Sequence, residues 1–286
     1  MNNIPNLKYS QQENEFLIKN YPKYGSAFCA KHLKRSNVSV RSRAQKLNLH
    51  VNNMSGIMLK CYTKPNDKYN VNADLFMTPT NPSVIYTMGL LWADGHVHID
   101  KNVREIELAS TYPDGDEFYK ILSSYGKWNY YRYPQTHPKY KKLKDRITIK
   151  TNNRPLSSFL VGKGYKSKST ASADGILKII PQSLHHYWFR GLFDGDGHIH
   201  VNGRKIQLTI SGPHTQAWDY FVKLLNELGV SHSIHLRINS RGKSSVLQFG
   251  GAKNAGKFLS FIYDGAEADK IYLRRKYNKW LEILSY

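Results

Sequence analysis

Two stretches of the chain run almost continuously apolar and then switch to strict alternation at an Asp-Gly step. Thr87-Met88-Gly89-Leu90-Leu91-Trp92-Ala93 leads into Asp94-Gly95, after which Val97 and Ile99 alternate with His96, His98 and Asp100. Phe189-Arg190-Gly191-Leu192-Phe193-Asp194-Gly195 leads into Asp196-Gly197, after which Ile199 and Val201 alternate with His198 and His200. The first pattern is that of a buried helix, and the second has the period of two expected of a strand with one covered face. The two stretches lie 102 residues apart, and the likeness extends to Arg104-Glu105-Ile106-Glu107-Leu108 against Arg204-Lys205-Ile206-Gln207-Leu208. An internal repeat therefore governs the fold.

Each copy predicts a helix ending at Asp-Gly, two strands, a second helix, two more strands and a closing helix. Strands are expected over 96–100, 104–110, 127–133 and 145–151, then over 198–202, 205–211, 233–239 and 245–250. The fold class is α+β, two pseudo-symmetric αββαββα repeats spanning 83–168 and 169–286.

Ahead of the repeats the pattern is different. Ser10 followed by Glu13 reads as a capping box opening a short helix that Tyr21-Pro22 should stop. A second helix is expected from Ser26 to Leu33. A third should run from Val38 to Leu47, with Val40, Ala44 and Leu47 inward and Arg41, Arg43 and Lys46 outward. Residues 1–50 thus predict a three-helix helix-turn-helix domain whose third helix offers Ser39, Arg41, Ser42, Arg43 and Lys46 to a major groove. This segment also resembles the Myb/SANT-like modules attached to mobile-element and phage endonucleases. Residues 51–82, rich in Asn, Pro, Thr and Lys, are expected to form an extended linker.

Charge narrows the partner. Among 286 residues, 42 Lys and Arg face 21 Asp and Glu, a formal charge of +21 that favours a polyanion. Hydrophobic residues make up 40%, so the charge must decorate folded domains. Two cysteines exclude a disulfide framework, and no apolar run reaches membrane-spanning length. With no signal peptide in the opening residues, the expectation is a soluble, intracellular, unsecreted protein in a bacterial or phage-infected cytoplasm or an organelle.

The repeated helix carries the candidate chemistry. Gly89 and Ala93, like Gly191 and Gly195, are four apart, so each helix has one face almost free of side chains. Two such faces can pack backbone to backbone, which brings Asp94 and Asp196 together beside the pseudo-twofold axis. Both acids then stand at helix C-termini and repel each other, an arrangement with no structural reward. A divalent cation reverses that argument. The carboxylates and the terminal carbonyls of Ala93 and Gly195 are hard-oxygen ligands for Mg²⁺ or Mn²⁺, and metal-assisted phosphodiester hydrolysis follows.

These motifs resemble the nine-residue signature of the LAGLIDADG homing endonucleases in their single-chain, two-repeat form. The resemblance runs from about Ser83 to the C-terminus. It implies a saddle that grips duplex DNA, with the last motif acid of each copy, Asp94 and Asp196, binding metal and cutting one strand. It also implies intron homing by a mobile element. Trp92 stands where the motif has an earlier Asp, a position to which the family assigns a structural role. The family further places a basic residue from each half near the cleaved phosphates. Lys168 and Lys276 are the candidates, with Lys270 and Arg275 as rivals to the second.

The polar strand faces are expected to meet double-stranded DNA. His96, His98, Asp100, Arg104, Arg132 and Arg146 in copy one, and His198, His200, Arg204, Lys205, Gln207, Arg237, Asn239, Arg241 and Gln248 in copy two, are candidates for base or phosphate contacts. The His-x-His pairs also admit a zinc reading, but the chain lacks the βα alternation that such sites use. One polypeptide supplies both halves, so a monomer is expected. The alternative function on the same scaffold is an RNA-binding intron maturase or a non-cleaving DNA regulator.

Overall fold

A computed structural model describes residues 9–49, 71–100, 104–134, 144–203, 205–239 and 242–284. The chain divides into two compact units, Met1–Asn66 and Asp67–Tyr286. Among the described residues no helix is long and apolar enough to cross a membrane.

In the first unit, α1 (Gln11–Leu33) opens with the predicted capping box, Ser10 and Glu13 each satisfying the other's backbone N–H. The expected stop at Tyr21-Pro22 does not occur there. Pro22 is accommodated inside α1, and the helical path breaks three residues later at Gly25, whose φ of 72° favours glycine. After a left-handed Lys34, α2 (Asn37–Lys46) starts from a Ser36 cap. Val40 and Ala44 are buried, with Leu17, Cys29 and Ala30 opposite on α1. Arg35 locks the corner by pairing with Glu13 at 2.7 and 2.9 Å and stacking on Tyr9.

The second unit opens inside the segment expected to be linker. Residues 51–70 lie outside the described residues, but Val71 and Phe76 are buried in the main core and α3 (Asp74–Met77) is helical. The apolar group Leu75-Phe76-Met77 caps the core rather than spacing two domains.

The first repeat then runs α4 (Pro82–Ala93), β1 (Gly95–Ile99), β2 (Arg104–Thr111), α5 (Asp114–Ser123), β3 (Asn129–Tyr133), β4 (Arg146–Asn152) and α6 (Arg154–Gly162). A short α7 (Asp174–Leu177) connects it to the second, α8 (His185–Asp196), β5 (Gly197–Asn202), β6 (Lys205–Pro213), α9 (Asp219–Glu227), β7 (His232–Asn239), β8 (Gly242–Gly250) and α10 (Ala252–Ile262). Two helices not read from the pattern follow, α11 (Ala266–Asp269) and α12 (Arg274–Leu284). The αββαββα order is thus present twice. Both sheets are fully antiparallel, ordered β1-β2-β4-β3 and β5-β6-β8-β7.

Helices α4 and α8 form the junction. Every residue of α4 from Val84 to Ala93 is buried, as expected of a helix apolar all round. A Cβ added at Gly89 would lie 1.9 Å from the Trp188 carbonyl oxygen, and one at Gly191 would lie 2.0 Å from that of Tyr86. At Gly195 it would meet the Ala93 Cβ at 2.5 Å. The small-residue faces therefore pack backbone against backbone, and no larger side chain fits between them.

Gly191→Ala is expected to lower unfolding stability by about 3 kcal/mol or to prevent folding, because the obstructing atoms are backbone. Gly256 is a helical glycine of α10 with open space around its missing Cβ. Gly256→Ala should stabilise by about 0.5–1 kcal/mol in the same urea titration.

Candidate active site and nucleic-acid face

The α4–α8 contact carries the two motif acids to neighbouring positions. Asp94 caps α4 and Asp196 is the last residue of α8. The Asp94 Oδ2 lies 3.3 Å from where a Gly195 Cβ would stand. Both side chains are accessible to solvent, yet surrounding protein mass raises both pKa values. Burial first, and the Asp94 charge second, push Asp196 up to about 7.

Lys168 and Lys276 occupy matching places on the two helix ends. Lys168 Nζ donates to the carbonyls of Leu91, Ala93 and Gly95. Lys276 Nζ donates to those of Phe193 at 2.6 Å, Asp194 at 2.8 Å and Gly195 at 3.4 Å. Each ammonium thus satisfies the terminal carbonyls that a helix leaves open and complements its dipole. The resemblance supplied both lysines, but their depth was not legible: Lys276 is only 1% exposed, and burial lowers it to about 8. Lys168 is half-buried and is also lowered by burial, against the opposing pull of Asp196 and Asp94. The rivals lie elsewhere, Lys270 with Glu267 and Arg275 with Asp114. Ala93 and Gly195, expected to offer free carbonyls, share theirs with these lysines.

Trp92 and Asp194 occupy the same repeat position and do different work. Asp194 is buried and accepts from the Tyr86 hydroxyl at 2.8 Å, the Tyr263 hydroxyl at 3.1 Å and the Leu273 N–H at 2.8 Å. It thereby anchors the turn that leads into α12 and Lys276. Trp92 instead packs edge-on against Tyr165 and Tyr220. The pattern also gave no role to Arg190, which is fully buried and donates to the carbonyls of Ile262, Asp264 and Ile271. A lone arginine within an apolar helical run was the available signal for a buried carbonyl clamp.

Strand register sorts the expected DNA-facing residues. Ile106, Leu108, Ile147 and Ile149 are buried, so their neighbours Glu105, Glu107, Arg146, Thr148 and Lys150 occupy the opposite face together with His96 and His98. Tyr131 and Tyr133 share that face and stack on each other. Arg104 and Arg132 do not: they stand in register with Ile99 and Ile147 and belong to the helix side. Arg132 is held there by Asp145 at 2.6 Å and lies over the Tyr112 ring. Asp100 lies just past the end of β1. In the second sheet, His198, His200, Lys205, Gln207, Arg237 and Gln248 share one face, opposite buried Ile199, Leu208 and Leu247. Asn239 ends β7 in register with Gly242. Arg204 and Arg241 lie outside the described residues.

His98, Glu105 and Glu107 are the one group of three metal-ligating side chains in reach of each other among the described residues. Their carboxylates are already engaged by Lys150 at 2.9 Å and Arg146 at 3.2 Å.

On α2, Arg41 and Lys46 are exposed as expected, although Arg41 also donates to the Ser26 hydroxyl. Arg43 instead turns back to Asn14 at 2.7 Å, and Ser39 bonds the Tyr9 hydroxyl. Both are spent on holding α2 to the chain before and within α1.

The raised Asp196 has a thermodynamic sign. Its folded pKa of about 7 exceeds the model carboxylate value of 3.8, so ionisation costs folding stability increasingly between pH 4 and pH 7. Asp196→Asn is expected to melt a few degrees above the wild-type protein at pH 8, with the gap closing by pH 4, in metal-free calorimetry.

Residues 184–263 match the family model described as a LAGLIDADG-like domain. No curated protein sequence matches the chain. Among solved structures, variants of the homing endonuclease I-DmoI are similar at 14% identity and a TM-score of 0.45, over 63% of this chain and 94% of that one. The homing endonuclease I-WcaI bound to its DNA recognition sequence is similar at 11% identity and a TM-score of 0.47, over 83% and 97%. I-SmaMI bound to an uncleaved DNA target with calcium ions is similar at 10% identity and a TM-score of 0.39, over 71% and 90%. Two copies of one element order, each built on the same acidic helix end, meet at a shared axis, and the second of them is a LAGLIDADG-like domain.

Proposed function

We propose that the chain is a site-specific double-strand DNA endonuclease that uses a divalent metal, with Mg²⁺ or Mn²⁺ the ion of choice. One observation carries the reading. Two equivalent helix ends place Asp94 and Asp196 side by side, each flanked by a lysine held on its own helix's last carbonyls. Neither acid has a salt-bridge partner among the described residues, and each raises the cost of ionising near the other.

The donor set fits a hard dication. Two accessible carboxylates that are costly to ionise together, with the Ala93 and Gly195 carbonyls beside them, match the oxygen ligands such ions take. A bound divalent ion supplies charge neutralisation at the scissile phosphate and lowers the pKa of water.

The chain's own residues do the rest. Asp94 and Asp196 shed their shared proton burden when a cation arrives. Lys168 and Lys276 hold positive charge beside the acids, where a phosphodiester's charge grows during cleavage. The two sheet faces orient the duplex: sheet two bears His198, His200, Lys205 and Arg237 with no acid on any of its strands, which favours phosphate contact. Sheet one bears stacked tyrosines and internally paired Glu105 and Glu107, which suit base edges. The internal repeat supplies both acids, so one chain suffices. The first unit, with Arg41 and Lys46 exposed on α2, adds a second DNA contact that lengthens the recognised site.

The test uses a plasmid carrying the uninterrupted sequence that flanks the gene, incubated with Mg²⁺ or Mn²⁺. The wild-type protein is expected to linearise it, and Asp94→Asn or Asp196→Asn to abolish linear product. Linearisation by both variants at the wild-type rate overturns the reading. Arg41→Ala combined with Lys46→Ala should weaken binding to the same duplex and lower the slope of log affinity against log salt by about 2.

A further inference from the structure

The repeat offset of 102 residues that superposes Asp94 on Asp196 also superposes Asp114 on Gln216. Both stand where the second strand of a repeat hands over to its middle helix, Asp114 opening α5 and Gln216 just before α9. Neither belongs to the motif. Both reach across the repeat interface to the chain that carries the other half's lysine.

Gln216 Nε2 donates to the backbone carbonyl of Lys168 at 3.0 Å. Lys168 sits in the irregular stretch between α6 and α7, held by local turns such as Ser167 N–H to Gly164 and Thr170 N–H to Ser167. Gly212 leaves room for the clamp, since a Cβ there would meet the Gln216 Cγ at 2.9 Å and Oε1 at 3.1 Å. In the other direction, Asp114 Oδ2 accepts from Arg275 Nε at 2.8 Å, one residue before Lys276. Glu117, one turn further along α5, accepts the Arg274 N–H at 2.8 Å.

We infer that Asp114 and Gln216 are reciprocal positioning residues, each fixing the backbone that presents the opposite repeat's lysine to its helix end. Each ammonium rests on the helix of its own repeat while its main chain is held by the other. The two half-sites are thus assembled together, and neither lysine is in place unless the repeats are docked. The inference rests on the endonuclease reading only for its catalytic consequence; the clamp itself is a property of the free protein.

The first measurement needs no DNA. In the full-length protein, trace acetylation with acetic anhydride followed by mass spectrometry reports each lysine against exposed Lys166. Gln216→Met keeps the length of the side chain and removes the donor; it is expected to raise Lys168 labelling severalfold and leave Lys276 unchanged. Asp114→Asn keeps the shape and removes the charge; it is expected to raise Lys276 labelling and leave Lys168 unchanged. A general loosening of the fold would raise both together, and that result, or no change in either, overturns the inference. Should either variant fail to fold, Gln216→Glu and Arg275→Met break the same two contacts from different chemistry.

The second measurement follows strand-specific nicking of the target plasmid. Each variant should slow one strand by about tenfold, the expected scale for a small misplacement, and the two should slow opposite strands. Equal slowing of both strands by each variant contradicts the pairing. A wild-type protein that cuts nothing would remove the endonuclease reading while the acetylation result still decides the clamp.

Discussion

The contact between α4 and α8 is the constraint on which the second unit depends. It is made where Gly89 and Gly191 let one helix's backbone touch the other's, with the Trp188 and Tyr86 carbonyls where side chains would otherwise be. Side-chain packing tolerates exchange of one apolar residue for another of similar size, but backbone packing does not. It fixes the separation and the axial position of both helices at once. Everything that follows the helix ends inherits that geometry: Asp94 and Asp196 face each other, β1 and β5 leave in related directions, and each sheet forms around its own exit strand.

Bringing the acids together has an electrostatic cost that the fold offsets with cations from elsewhere in the chain. Lys168 and Lys276 come from segments about 75 and 80 residues downstream of the helix ends they serve. The lysines' own burial lowers their affinity for protons, so the site balances groups that would each be more comfortable in water. Such a balance is poor economy for stability and suits a centre that receives charged ligands.

The two halves are related but not equal. Where copy two buries Asp194 under two tyrosine hydroxyls and uses it to anchor the approach to α12, copy one places Trp92 in an aromatic cluster. Lys276 rides on a helix and Lys168 on an irregular stretch. One sheet face carries ion pairs and stacked tyrosines, the other histidines and cations without an acid on its strands. A duplicated chain, unlike a symmetric dimer, is free to diverge in this way, and the divergence gives the two halves of a duplex different chemical surroundings.

The linear sequence by itself determined the duplication, the αββαββα order, the strand periods and the pair of acids. These are carried by short-range signals: runs of apolar residues, alternation of two, and small residues four apart. It misplaced the α1 break, because Pro22 and Gly25 offer competing local stops and only packing against α2 selects between them. It turned Arg43, Arg104 and Arg132 outward toward a partner, whereas side-chain partners from other segments and strand register turn them inward or to the other face. Tertiary structure alone decided that 71–82 belong to the core, that Arg190 and Asp194 are interior anchors, and which carbonyls each lysine meets. Those choices depend on groups 70 to 110 residues apart being brought within hydrogen-bond distance, and no local pattern encodes which distant partner will be there.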